Sequence, residues 1–129
     1  MDEHTSQFKS RSGLQRILGA TGNTARGLRD AWRHEHAFRQ ELALVAALSA
    51  IAAFLPVTIL ERVAMVAALL LVLVVELLNS AIEAAIDRIS LDRHELSRRA
   101  KDLGSAAVGL AIAIAMLVWG AVGLAHWIG

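Results

Sequence analysis

A stripe of polar side chains lies within one of the most apolar stretches of the sequence, residues 72–88. Its members stand at positions i, i+3, i+7 and i+11: Glu76, Asn79, Glu83 and Asp87. In an α-helix, where each residue advances by about 100°, this spacing places all four on one face. Carboxylates and an amide on one face can act as a general base, as metal ligands or as a proton relay.

Such a stripe is costly if the helix crosses a membrane. A charged carboxylate near the middle of a spanning helix costs about 2.5–3.5 kcal/mol on insertion scales. A polar seam between helices is the structural alternative. Ser, Thr, Asn or Gln would serve a seam better, because these side chains donate as well as accept hydrogen bonds. The ionisable residues therefore favour a functional site inside the membrane.

The composition supports a small membrane protein. The 129 residues predict one domain, residues 1–129, and 56% of them are apolar. The mean hydropathy of +0.51 is high for a soluble domain. A net charge of +1 gives no bulk electrostatic basis for binding, so we expect no nucleic-acid partner. The absence of cysteine excludes disulfides, thiolate nucleophiles and zinc–thiolate sites.

Three apolar stretches predict membrane-spanning helices, and the resulting fold class is all-α. The predicted spans are residues 42–60, 63–87 and 106–128, with Pro56 ending or kinking the first. An amphipathic pattern over about residues 8–38 predicts an N-terminal surface helix in the membrane interface, with a turn near Gly22–Asn23. Glu61 and Arg62 are expected to form a minimal loop, and residues 88–101 a charged connection with helical character.

The basic residues predict the orientation. Lysine and arginine concentrate in residues 1–41 and 88–101, whereas the short loop holds only Arg62 and the C-terminal end holds neither type. The positive-inside rule therefore places the N-terminus and the second connection in the cytoplasm and the C-terminus outside. Small residues four apart in the third span, Ser105, Gly109 and Ala113, allow close helix packing. Because three short helices shield the carboxylates poorly, we expect a homo-oligomer.

Depth along the second span separates the roles of the two glutamates. Glu76 falls near the cytoplasmic acyl–headgroup boundary, where it could meet a lipid hydroxyl. Glu83 falls at the aqueous surface, where it and Glu35 could hold one divalent cation. The second connection adds a set of side chains that could cradle a polyphosphate: Arg93, His94, Arg98, Arg99, Lys101 and Asp102. Since no standard nucleotide-binding motif is present, an enzyme and an oligomeric proton or cation channel both remain open.

Three blocks of the sequence closely resemble the prokaryotic diacylglycerol kinase family. They are A-W-R-H-E-H-A-F-R-Q-E (Ala31–Glu41), E-L-L-N-S-A-I-E-A-A-I-D-R (Glu76–Arg88) and H-E-L-S-R-R-A-K-D-L-G-S-A-A (His94–Ala107). The resemblance runs from about residue 8 to the C-terminus. It implies a homotrimer of three-span subunits in the bacterial cytoplasmic (inner) membrane, which uses ATP with Mg²⁺ to phosphorylate a lipid alcohol.

The resemblance also implies roles for individual residues. Glu76 is similar to the family's general base, and Glu35 and Glu83 to its metal ligands. The lipid contacts implied are Arg16, Glu76 and Ser105. The nucleotide or phosphate contacts implied are Arg16, Asn23, Glu35, Asn79, Glu83, Asp92, Arg93, His94, Lys101 and Asp102.

The sequence departs from the family at two positions, and one question of substrate stays open. Asn23 and Ala25 stand where well-known members have aromatic residues. Some relatives phosphorylate undecaprenol instead of diacylglycerol. The N-terminal helix and the H-E-L-S-x-R-A-K-D block (94–102) favour diacylglycerol as the substrate.

Overall fold

The computed structural model describes residues 13–129, which form four α-helices. These are α1 (Gly13–His34), α2 (His36–Phe54), α3 (Ile59–Ile89) and α4 (Glu95–Ile128). Residues 13–129 contain no strand, so the predicted all-α class is confirmed. The part of the predicted surface helix before residue 13 lies outside the described residues.

Three of the four helices are long and apolar enough to cross a membrane. α2, α3 and α4 have 19, 31 and 34 residues, and an apolar 18-residue stretch within each has a mean hydropathy of 1.4, 2.4 and 2.3, respectively. The chain is therefore a multi-pass membrane protein. α2 lies further toward the N-terminus than the predicted span 42–60. It ends at Phe54 because Leu55, which precedes Pro56, adopts an extended conformation (φ −70°, ψ 144°).

The turn predicted near Gly22–Asn23 is wrong. α1 continues through both residues to His34. A glycine lowers helix stability by only about 1 kcal/mol relative to alanine, so it does not by itself end a helix. The hydroxyls of Thr21 and Thr24 donate to the carbonyls of Ile17 and Ala20 one turn earlier, at 2.9 Å each, which suits a continuous helix.

The loop predicted at Glu61 and Arg62 is also wrong, since both residues lie in the first turn of α3. Thr58 is the N-cap: its hydroxyl accepts the Glu61 backbone N–H at 3.2 Å, and the Glu61 carboxylate accepts the Thr58 backbone N–H at 2.8 Å. This reciprocal capping box satisfies two backbone donors at the helix start. The connection between α2 and α3 is therefore residues 55–58.

The charged connection at 88–101 has the predicted helical character, since α3 and α4 leave only residues 90–94 between them.

α3 is the central helix and carries most of the buried side chains. It contacts both α2 and α4, and α1 contacts α2. α4 contributes small buried residues, namely Gly104, Ala111 and Ala115, which let the helices approach closely. The Trp119 indole donates to the Met65 carbonyl at 3.1 Å and fixes α4 against α3. The buried residues of α3 are Met65, Ala68, Leu69, Val72, Leu73, Glu76 and Asn79.

Candidate catalytic and nucleotide-binding site

The polar stripe of α3 passes from the protein interior to its surface. Glu76 and Asn79 are buried, with 6% and 8% of their surface exposed. Glu83 is half-buried and Asp87 is exposed. Within residues 13–129, Glu76 and Asn79 are the buried polar residues of the helix bundle. The first half of the stripe is therefore shielded from water and the second half can meet soluble molecules.

Asn79 and Glu83 form a hydrogen-bonded pair. The Asn79 Nδ2 donates to Glu83 Oε1 at 3.2 Å. The other amide atom, Asn79 Oδ1, is buried and has no hydrogen-bond partner among the residues that the structure describes. An unsatisfied buried acceptor costs about 1–3 kcal/mol, so the orientation of this amide requires an explanation.

Several carboxylates converge around Glu76. The carboxylates of Glu35 and Glu83 are close enough to interact electrostatically with Glu76, and Glu41 in turn interacts with Glu76. Glu35 is the N-cap residue of α2, at the junction with α1, yet its carboxylate makes no capping hydrogen bond within the described part of the chain. Like charges this close are unfavourable unless protons or a cation compensate them. A bound cation would offset this repulsion, and so would a proton on one of the carboxylates.

The carboxylates fit a metal ion that is shared with a phosphate. Within residues 13–129, no three His, Asp or Glu side chains form a ready-made metal site. Magnesium is commonly held by one or two protein carboxylates together with phosphate oxygens and water. Glu35 and Glu83 suit that mode of binding, whereas a site built from protein ligands alone does not fit.

A cavity lined by charged side chains lies where α3 ends and α4 begins. Its volume is about 520 Å³. Lys101 Nζ donates to Asp87 Oδ1 at 2.8 Å and joins the two helices across this cavity. Lys101 also interacts electrostatically with Glu83, so the cavity adjoins the polar stripe. The charged and polar lining residues include Asp87, Asp92, Arg93, His94, Arg98 and Lys101.

The structure assigns local roles to two residues of this region. His94 is the N-cap of α4, and its Nδ1 accepts the Leu96 backbone N–H at 3.1 Å. The Arg98 guanidinium bridges Glu95 and Asp102, with 2.6 Å between Nη1 and Asp102 Oδ2. Asp102 is exposed and does not line the cavity.

Three further predicted site residues do not line this cavity in the single chain. Arg16 and Asn23 border a separate depression on α1, where the Arg26 guanidinium donates to Asn23 Oδ1. Ser105 is exposed on α4. One chain therefore brings together Glu76, Asn79, Glu83, Glu35 and the cavity. Arg16 and Asn23 lie elsewhere on α1, and Ser105 follows buried Gly104 with an exposed side chain.

Glu41 is a candidate residue that the sequence reasoning missed. One of its carboxylate oxygens, Oε2, is buried and has no hydrogen-bond partner within residues 13–129. Glu41 borders a largely apolar cavity of about 300 Å³ between α2, α3 and α4. The available signal in the sequence was a carboxylate directly before a long apolar run.

Comparison with known proteins identifies a matching family and several similar sequences. Residues 22–123 match the family described as "Prokaryotic diacylglycerol kinase". A protein of Pseudomonas aeruginosa named diacylglycerol kinase is 51% identical over 114 residues, which cover 88% of this chain and 93% of the relative. Proteins with the same name are 50% identical in Escherichia coli K12, over 84% of this chain and 88% of the relative, and 44% identical in Haemophilus influenzae, over 86% and 94%.

Proposed function

Since the chain belongs to the prokaryotic diacylglycerol kinase family and is a membrane lipid kinase, we propose that it phosphorylates 1,2-diacylglycerol to phosphatidic acid, with ATP as the donor. The reaction takes place at the cytoplasmic face of the bacterial inner membrane. The observation that carries this proposal is the polar stripe of α3. It runs from buried Glu76, near the middle of the helix, through the Asn79–Glu83 pair to Asp87, which lines the cavity with basic residues.

Glu76 is the general base of the proposed reaction. The free hydroxyl of diacylglycerol gives its proton to the Glu76 carboxylate, and the hydroxyl oxygen attacks the γ-phosphorus of ATP. The bond between that phosphorus and the β–γ bridging oxygen breaks, and ADP leaves. Burial of Glu76 excludes water from this carboxylate, which favours transfer to the lipid over hydrolysis of ATP.

Glu35 and Glu83 are the proposed magnesium ligands, and Asn79 orients Glu83 through its amide. The bound ion would neutralise charge on the ATP phosphates. The cavity residues Asp92, Arg93, His94 and Lys101 are proposed to contact the nucleotide. Lys101 would exchange its Asp87 partner for a phosphate oxygen, which needs little rearrangement because both side chains are about half exposed.

The proposed homotrimer would supply the proposed contacts that do not line the cavity of one chain. In the apolar 18-residue stretch of α4, only 11% is buried inside the single chain, compared with 39% of the corresponding stretch of α3. α4 therefore has a large apolar surface that lipid or another copy must cover. A neighbouring subunit could complete the site with the remaining proposed contacts, which are Arg16 and Asp102 for the nucleotide, Asn23 more weakly, and Arg16 and Ser105 for the lipid.

The test is phosphate transfer by the purified protein in mixed micelles with Mg²⁺ and ATP. We expect turnover of a short-chain diacylglycerol and much slower turnover of undecaprenol. Turnover of undecaprenol alone would mean that the proposed mechanism acts on undecaprenol instead of diacylglycerol. Absence of transfer to both lipids by the folded oligomer would overturn the proposal. The channel alternative is set aside, because the relatives are lipid kinases.

A further inference from the structure

Gly104 faces the polar stripe from the neighbouring helix. It is buried on α4 and lies directly against the Asn79 side chain. A methyl group at position 104 would overlap Asn79 Oδ1 and lie 3.2 Å from Asn79 Cγ. Other glycines of α4, such as Gly109, Gly120 and Gly123, have no such neighbour within 4 Å in residues 13–129. Unlike them, Gly104 leaves room for the Asn79 side chain because it has no side chain of its own.

The chemistry of Glu83 fixes the orientation of the Asn79 amide. The Glu83 oxygen accepts this hydrogen bond, so the Asn79 NH₂ group, which donates it, faces Glu83. The carbonyl Oδ1 then points away from Glu83 and toward the α4 backbone at Gly104. At this position a glycine offers Cα–H groups, which are weak donors to a carbonyl oxygen. This contact explains why Oδ1 is buried without a conventional hydrogen bond.

We propose that Gly104 is a positioning residue for the metal–nucleotide site. Its lack of a side chain lets Asn79 hold the one amide orientation in which Nδ2 donates to Glu83. The inference rests on the proposed function, since it assigns Glu83 to magnesium. Gly104 itself touches neither the metal nor the lipid in this arrangement, and it acts only through Asn79.

A methyl group at position 104 should disturb the Asn79–Glu83 hydrogen bond more than it disturbs helix packing. The overlapping atom is the end of a side chain, so turning the Asn79 amide out of its present plane relieves the overlap more readily than a shift of the backbone would. That rotation breaks the hydrogen bond to Glu83. Alanine also raises helix propensity in the interior of α4. A Gly104→Ala variant should therefore fold normally and bind magnesium with nucleotide poorly.

The experiment compares Gly104→Ala with Gly123→Ala, which adds the same methyl group to the same helix in open space. Calorimetry in detergent micelles measures binding of Mg²⁺ with a non-hydrolysable ATP analogue, and steady-state assays give KM for diacylglycerol. We expect Gly104→Ala to weaken binding of magnesium with the analogue about 10-fold, as is usual for residues that orient metal ligands. KM for the lipid should stay unchanged, and Gly123→Ala should match the parent protein.

Side-chain amide resonances give a second measurement that does not depend on turnover. The chain has two asparagines, Asn23 and Asn79. In a ¹⁵N-asparagine-labelled sample, Gly104→Ala should shift the Asn79 NH₂ pair and leave the Asn23 pair in place. Adding Gly104→Ala to an Asn79→Ala background should cause no further loss of binding, because the residue it acts through is gone.

Each result decides the inference. If the parent phosphorylates diacylglycerol and Gly104→Ala binds magnesium with nucleotide as well as Gly123→Ala does, Gly104 has no positioning role. If Gly104→Ala does not fold but the double variant with Asn79→Ala does, the contact with Asn79 is supported. If both fail to fold, Gly104 serves helix packing alone and the inference is overturned. Failure of the parent protein to transfer phosphate would count against the proposed function instead.

Discussion

Neighbouring residues of one helical stripe have different surroundings, and these surroundings distinguish their proposed roles. Glu76 is buried among carboxylates, Asn79 is buried between Glu83 and Gly104, and Glu83 is half-buried beside Lys101. A shielded carboxylate suits proton transfer from a lipid, whereas a half-exposed one suits an ion that arrives from water with a nucleotide. If the roles were reversed, buried Glu76 would have to bind an ion that arrives from water, and half-exposed Glu83 would have to take a proton from a lipid.

The general base is tested by Glu76→Gln. Glutamine keeps the shape of the side chain but cannot take a proton from the lipid hydroxyl. We expect kcat to fall by about 10²–10⁴-fold, with little change in KM for ATP with magnesium. Glu61→Gln is the matched control, because it removes a carboxylate at the other end of α3 while glutamine still permits a capping box. A Glu76→Gln enzyme with most of its turnover would remove Glu76 from this role.

The metal ligand is tested by Glu83→Gln. This change keeps a partner for the Asn79 amide through its carbonyl oxygen but removes the negative charge that attracts the ion. Titration of Mg²⁺ at fixed ATP should show a half-saturating concentration raised by at least about 10-fold, the loss that is usual even for residues that only orient a ligand, with KM for diacylglycerol little changed. An unchanged magnesium titration would argue that Glu83 does not bind the metal.

The sequence predicts part of the candidate site at this scale. The spacing of Glu76, Asn79 and Glu83 alone places them on one face, because that relation is internal to a helix. The contact of Asn79 with Gly104 and the buried oxygen of Glu41 arise from packing between helices. Sequence spacing within one helix carries no information about which residues meet across an interface.

At the scale of helices, the turn between α2 and α3 depends on Arg62. Its Nε donates to the Ala52 carbonyl and its Nη2 to the Leu55 carbonyl, both at 2.9 Å. The last carbonyls of a helix have no partner within that helix, so Arg62 satisfies groups that the end of α2 leaves free. The planar guanidinium reaches both at once and thereby ties the start of α3 to the end of α2.

Arg62→Ala should therefore destabilise the protein without touching the site. Hydrogen bonds from a charged donor contribute about 1.5–3 kcal/mol, and we expect a loss of that order in the free energy of unfolding. Unfolding in detergent by added denaturant, followed by circular dichroism, measures it. Arg99→Ala, which removes an exposed arginine of α4, serves as control. Equal stability of the two variants would contradict the assigned role of Arg62.

The errors in predicted helix ends have identifiable physical causes. Thr58 and Glu61 have the spacing of a capping box, and that signal outweighed the tendency of charged residues to mark a loop. In α1, the cost of glycine at Gly22 was smaller than the stabilisation of a continuous helix. The number of helices that could span a membrane was predicted because their apolar runs are long, whereas helix ends depend on single hydrogen bonds.

Across the whole molecule, charged side chains join α3 to α4 at both ends of the helix bundle. α3 runs antiparallel to its neighbours, so its C-terminal end lies beside the start of α4, where Asp87 pairs with Lys101. At the opposite end, His126 Nε2 lies 3.0 Å from Glu61 Oε2 and joins the end of α4 to the start of α3. The cavity with basic residues is therefore at the end for which the positive-inside rule predicts a cytoplasmic location.

The predicted orientation can be tested with single cysteines, because the chain has none of its own. Leu91 lies between α3 and α4 and is 86% exposed, and Ile128 ends α4 and is 74% exposed. In spheroplasts, a membrane-impermeant maleimide should label Ile128→Cys, and it should label Leu91→Cys only after the membrane is permeabilised. Both variants should react in detergent and retain kinase activity, which shows that the thiols are accessible and the fold intact. The opposite labelling pattern would place the proposed nucleotide site outside the cell, away from cytosolic ATP, and would overturn the proposed orientation together with the proposed source of the phosphate.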